Sequence, residues 1–236
     1  MSTTYNVYRD GEKIATGLSE KSFTDNDLTP NTVYEYQVSA VNQIGESELS
    51  TSTSVTTDFS QPTEVSVSPA TNNLTVGGKR NLSFSILPDT AKQEVIWSSS
   101  SNATATVNAA GEVTAIAPGS ATITAKAKDK EVIAGTASVS VTQPVTSVTL
   151  NKTILSLDVS VKEKLTATVS PANASNKNIT WSSSLESIAT VGSDGTVTAV
   201  SAGESTITVK TADGNKTATC VVTVNEVEPD PPEEGE

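Results

Sequence analysis

Apolar and polar side chains alternate with a period of two along most of the chain. Ala121-Thr122-Ile123-Thr124-Ala125 is the clearest run. Ala103-Thr104-Ala105-Thr106-Val107, Val113-Thr114-Ala115-Ile116 and Ala137-Ser138-Val139-Ser140-Val141 follow the same rule. A strand sends successive side chains to opposite faces, so each run predicts a strand with one apolar face. Turn residues separate the runs. Asn108-Ala109-Ala110-Gly111-Glu112 predicts a turn with Gly at positive φ, and Pro118-Gly119 a break. One-faced strands bury that face only when a second sheet closes over it, which predicts an all-β chain of sandwiches and no helix.

The pattern is duplicated. Trp97 to Thr124 recurs 84 positions later as Trp181 to Thr208, with about half of the paired positions identical. The preceding halves align at an offset of 83: Val65-Ser66-Val67 with Val148-Thr149-Leu150, Leu82-Ser83-Phe84-Ser85-Ile86 with Leu165-Thr166-Ala167-Thr168-Val169, and Pro88 with Pro171. The extra residue between Pro and Trp reads as a loop change, because a slip within a strand would invert its faces. This period is too long for a solenoid repeat of roughly 20 to 50 residues and suits a whole sandwich. Residues 61–143 and 144–226 are therefore expected to be two domains. The joint Thr142-Gln143-Pro144 is stiffened by proline, so an elongated string is expected.

Residues 1–58 carry a different pattern. Tyr5-Asn6-Val7-Tyr8-Arg9 and Lys13-Ile14-Ala15 flank Asp10-Gly11, a hairpin signal. Ser22-Phe23-Thr24-Asp25 predicts a short strand, and Thr32 to Asn42 a long alternating one. Leu28-Thr29-Pro30-Asn31 leads into Tyr34 as in a tyrosine corner.

The two copies resemble the bacterial Ig-like domain, group 2, also found in the invasin and intimin adhesins. The resemblance is carried by Val65-Ser66-Val67-Ser68-Pro69, Leu74, Val76, Gly77-Gly78, Val95-Ile96-Trp97-Ser98-Ser99-Ser100, Ala105-Thr106-Val107, Gly111-Glu112-Val113-Thr114-Ala115 and Gly119-Ser120-Ala121-Thr122-Ile123-Thr124. It implies tandem immunoglobulin-like β-sandwiches. The second copy has Asp158-Val159-Ser160-Val161 in place of the glycine turn, and a turn of different shape is expected there. Residues 1–58 resemble a fibronectin type III domain through Tyr34-x-Tyr36-x-Val38-x-Ala40-Val41-Asn42 and Gly45-Glu46-Ser47. That family implies seven strands, and this stretch matches it only from about the third. A sandwich so shortened exposes an inner face and a sheet edge. Three expectations stand together: the chain is a piece of a longer one, the five strands repack, or a partner supplies strands by β-augmentation.

Composition narrows the function. The net charge is −12, a surface that repels nucleic acid and anionic membranes. No run approaches the ~18 apolar residues of a membrane span. Met1 to Tyr5 shows no charged or apolar leader pattern, and no anchor pattern is seen at the far end. Residues 227–236 are acidic and proline-rich, predicting a disordered tail. The one cysteine, Cys220, aligns with Ala137 and shares a face with Val222 and Val224, which predicts a small buried hydrophobe.

With no histidine, the Ser-His and Cys-His pairs and most zinc sites are excluded. No catalytic, cofactor-binding or metal residues are assigned. Asp25-Asn26-Asp27 and Asp194-Gly195 offer oxygen ligands but read as ordinary turns. Asn102-Ala103-Thr104 and Asn178-Ile179-Thr180 are glycosylation triplets of the kind a Thr-rich chain contains by chance. Trp97 and Trp181 suit either a sugar-stacking platform or a core position, and the motif context favours packing.

The resemblance to Ig-like and fibronectin-like modules of phage particles implies a non-enzymatic virion protein. It would project its Ig-like domains from capsid or tail, with the N-terminal module docked on a capsid or tail protein. Weak contacts with host cell-surface polysaccharide would add up by avidity. The alternative is a stalk or spacer of a bacterial surface adhesin or extracellular hydrolase, at the cell surface or secreted. Direct carbohydrate binding as the main activity is the third. No binding residues are assigned for any of them.

Overall fold

The computed structural model describes residues 2–226, and the acidic tail lies outside them. The described residues form strands and turns without a helix, none being available to cross a membrane.

The first unit has β1 (Thr4–Arg9), β2 (Glu12–Leu18), β3 (Val33–Asn42), β4 (Gly45–Glu46) and β5 (Thr53–Thr56). They form one sheet in the order β2-β1-β3-β4, with β5 also on β3. Asp10 and Gly11 both adopt positive φ in the β1–β2 turn. The tyrosine corner is present: the Thr29 N–H donates to the Tyr34 hydroxyl at 2.9 Å.

The first repeat contains β6 (Glu64–Ser68), β7 (Thr71–Thr75), β8 (Lys79–Asn81), β9 (Ser83–Leu87), β10 (Val95–Ser99), β11 (Ala105–Val107), β12 (Glu112–Ala115), β13 (Gly119–Ala127) and β14 (Ala134–Thr142). One layer is the sheet β10-β13-β14-β7, and the facing layer holds β11-β12-β8 and β6-β9. The second repeat contains β15 (Ser147–Leu150), β16 (Ile154–Asp158), β17 (Lys162–Lys164), β18 (Ala167–Ser170), β19 (Ile179–Ser183), β20 (Ala189–Val191), β21 (Thr196–Ala199), β22 (Gly203–Thr211) and β23 (Thr217–Asn225). Its sheets, β19-β22-β23-β16, β17-β21-β20 and β15-β18, reproduce the topology.

Alternation decides the packing. Along β13, Ala121, Ile123, Ala125 and Ala127 are buried, and β14 contributes Ala137, Val139 and Val141 on the same side. In the second repeat Ile207, Val209, Cys220, Val222 and Val224 are buried in the equivalent layer. Cys220 is wholly buried there, and desolvation pushes its thiol above the ordinary value. Each burial of a Val- or Ile-sized side chain stabilises by about 1.5–3 kcal/mol, which is how cores with so few aromatics hold.

Glycine is required at the strand turn of each repeat. A Cβ on Gly111 would lie 2.7 Å from the Leu82 carbonyl oxygen, and one on Gly195 2.4 Å from that of Leu165. The expected change of turn shape at Asp158–Val161 is not found. Ser160 occupies the Gly77 position with φ 70° against 81°, and the same bond forms: Gly77 N–H to Ala115 O, Ser160 N–H to Ala199 O. The ladder hydrogen bond holds the turn, so serine is forced into the left-handed region.

Candidate functional site: an open apolar face on the first unit

Directly paired residues in an antiparallel ladder point to the same side. Tyr5 opposes Ala40, Val7 opposes Val38 and Arg9 opposes Tyr36, so these share one face. Asn6 opposes Ser39 and Tyr8 opposes Gln37 on the other.

The second face is polar and built around one carboxylate. Glu46 Oε1 accepts from Asn6 Nδ2 and the Tyr8 hydroxyl, both at 2.7 Å, from the Ser39 hydroxyl, and from Lys13 Nζ at 3.0 Å. The hydrogen bond from the Ser39 hydroxyl, followed by those from the Tyr8 hydroxyl, the Asn6 amide and the Lys13 ammonium, holds the Glu46 carboxyl far below its ordinary range. This network ties the two-residue β4 to β1 and β2.

The first face is apolar and uncovered. Tyr5, Val7, Leu18, Phe23, Tyr36, Val38 and Val55 line a groove of about 680 Å³. Val38 is 45% exposed, Val55 49% and Phe23 40%, although all three sit where a sandwich would bury them. Val7 is the one buried hydrophobic of this unit among the described residues. The three large buried clusters all lie in the two repeats.

The stretch Ser22–Asp25, expected to be a strand, crosses this groove without becoming one. It runs without turn or bend, and among the described residues its backbone makes no hydrogen bond to a neighbouring strand. Strand status needs a ladder partner, and none is at hand. Asp25 anchors its end: Arg9 Nη1 donates to both carboxylate oxygens at 3.2 and 3.0 Å, and the Tyr36 hydroxyl donates at 2.7 Å. Burial first, then that bond to Asp25, raises the Tyr36 hydroxyl above its ordinary value. Asp25 is thus a structural anchor. Asp194 likewise serves its own turn, accepting from the Thr196 N–H at 3.0 Å and the Thr196 hydroxyl at 2.7 Å.

Trp97 and Trp181 are half-buried and pack on their cores, Trp97 between two clusters of the first repeat. Trp97 also borders a second groove with Phe84, Glu94 and Lys128. Strand periodicity does not mark those three residues; the signal lies in the difference between the copies, the second of which has Ala167, Asn178 and Ala212 at the matching places.

The two sandwiches settle the family. Residues 62–142 and 144–222 match the model of the bacterial Ig-like domain (group 2), more than half of the chain. The chain belongs to that family. An Ig-like virion protein of Serratia phage KSP90 is 39% identical over 166 residues, 68% of this chain and 64% of that protein. A Clostridium acetobutylicum protein without an assigned function is 34% identical over 164 residues, 69% of this chain and 17% of its own. An alpha-L-arabinofuranosidase of Bifidobacterium longum is 59% identical over 61 residues, 26% of this chain and 6% of the enzyme. The chain therefore spans less than two thirds of the length of each.

Proposed function

We propose that this Ig-like chain is a non-enzymatic structural protein of a bacteriophage particle, with its N-terminal unit as the attachment end. The similarity to the Ig-like virion protein carries the first part of the reading. The open apolar face supports the second, because an uncovered sheet face of this kind calls for a cover. A capsid or tail subunit would lay strands over Val7, Tyr36 and Val38 and pair with the free backbone of Ser22–Asp25. Residues 1–58 carry nine carboxylates against three cations, so the subunit should be basic around its apolar strands. The two Ig-like domains would then project outward. Many copies on a particle would convert weak contacts with host-surface polysaccharide into useful adhesion.

A photo-crosslinking side chain at position 23, in the full chain assembled on particles, tests this. One dominant adduct to a capsid or tail subunit is expected. Absence of the chain from purified particles would sink the virion reading. An intramolecular adduct to residues ahead of Met1 in a longer natural chain would replace the docking partner. The arabinofuranosidase similarity supports a second reading, a spacer in a surface or secreted bacterial protein. Detection of the chain in the bacterial envelope rather than on particles would favour it.

A further inference from the structure

The first Ig-like domain carries a groove whose lining side chains the second does not repeat. It measures about 530 Å³ and lies along β10, the edge strand of its sheet. Trp97 forms part of its wall. The ring packs between two core clusters, where a Cβ on Gly111 would sit 3.1 Å from it, and its remaining surface borders the groove. Phe84 meets it edge-on, with centroids 6.2 Å apart at 75°. Ile96, 44% exposed on the opposite face of β10 from Trp97, borders the groove at the strand edge. Polar groups stand beside it. Lys128 Nζ lies 2.8 Å from Glu94 Oε2, and Lys92 approaches the other carboxylate oxygen at 3.4 Å. Asn108 lines the same groove.

The second domain is an internal control. The frames superpose by hydrogen bonding: the Lys128 N–H donates to Glu94 O, and the Ala212 N–H to Asn178 O. The Trp is kept, opposite Ala125 in one copy and Val209 in the other. Yet Phe84 becomes Ala167, Ile96 becomes Thr180, Asn108 becomes Gly192, and the Glu94–Lys128 pair becomes Asn178 and Ala212. Core packing accounts for a Trp in both copies. It accounts for Phe84 too, which packs with Trp97 on the same cluster, but not for the exposed Ile96 and the ion pair at the mouth of one groove only.

We propose that this groove binds a neutral saccharide unit of a polysaccharide. A sugar ring offers a face of C–H bonds to an aromatic surface and a rim of hydroxyls to flanking donors and acceptors. Phe84 and Trp97 supply the first, Glu94, Lys128 and Asn108 the second. Residues 61–143 carry six cations and six carboxylates, so the domain that holds the groove has no net charge and offers no field to select a charged polymer, which is why the ligand is neutral. The proposal rests on the adhesion part of the function above and is independent of the docking face.

The test uses the full chain carrying Trp181→Phe, so that Trp97 is its sole tryptophan. The probes are a neutral lipopolysaccharide O-chain, a mannan, a glucan and an arabinogalactan, with a teichoic acid as the anionic comparison. A saturable change in Trp97 emission with one neutral probe is expected. Glu94→Gln combined with Lys128→Met should weaken it about tenfold with melting unchanged, since both side chains are exposed. Retention of a neutral probe on co-sedimentation, with silent Trp97 emission and an indifferent double variant, would leave adhesion standing and overturn the groove. Binding to teichoic acid alone would overturn the neutral ligand. No binding to any probe would overturn both groove and adhesion.

Discussion

Ser160 shows how much one position can hide. It reads as an ordinary polar residue, yet it holds φ 70° where the first repeat places Gly77. A non-glycine residue in the left-handed region costs about 1–2 kcal/mol, partly offset by the greater freedom glycine loses on folding. Ser160→Gly should therefore raise the stability of the second domain by about 0.5–1 kcal/mol, and Gly77→Ser should lower that of the first comparably. Thermal melts of both variants check this, and a neutral result for both would remove the strain argument. The glycines at 111 and 195 were legible because a turn between two alternating runs demands them. The contacts of Trp97 were not, because its neighbours Phe84 and Gly111 come from separate stretches of chain.

At the scale of elements, β4 is two residues long and depends on Glu46. The four donors around its carboxylate depress its pKa below the ordinary 4.5. A depressed carboxylate contributes stability that is fully present above the unfolded value and lost as pH falls below it. The first unit should accordingly weaken as pH drops from about 4.5 toward 2. Glu46→Gln should be less stable at pH 7 and flatter across that window. Tyr5, Tyr8, Tyr34 and Tyr36 all lie in this unit and both Trp residues lie outside it, so tyrosine near-UV circular dichroism reads it selectively. Equal acid slopes in parent and variant would contradict the assignment. The Ser22–Asp25 stretch teaches the complementary lesson. Its alternation predicts a strand, but a strand is completed by the backbone of another, and sequence pattern shows only one side of that bargain.

Across the whole molecule, the repeats close their apolar faces with their own second layers, while the first unit leaves one open. Apolar dyes bind surfaces of that sort. The full chain should enhance anilinonaphthalene sulfonate emission at pH 7, and Phe23→Ser with Val38→Thr should cut the enhancement several-fold while leaving both Ig-like domains intact. Enhancement unchanged by the pair of substitutions would place the exposed surface elsewhere.

Local rules carry far in this chain. Period-two alternation, turn glycines and an internal repeat determine an all-β architecture of duplicated sandwiches, because they act over a few residues and each copy restates them. Burial of Cys220 follows from the same alternation. Tertiary structure alone decided the rest. Which sheet face lacks a cover depends on how many strands meet, not on any one of them. The groove beside Trp97 depends on β9, β10 and the end of β13 converging, so that residues 84, 94, 97 and 128 become neighbours. Proximity across strands is set by register and layer packing, and neither is written in the spacing of a single strand.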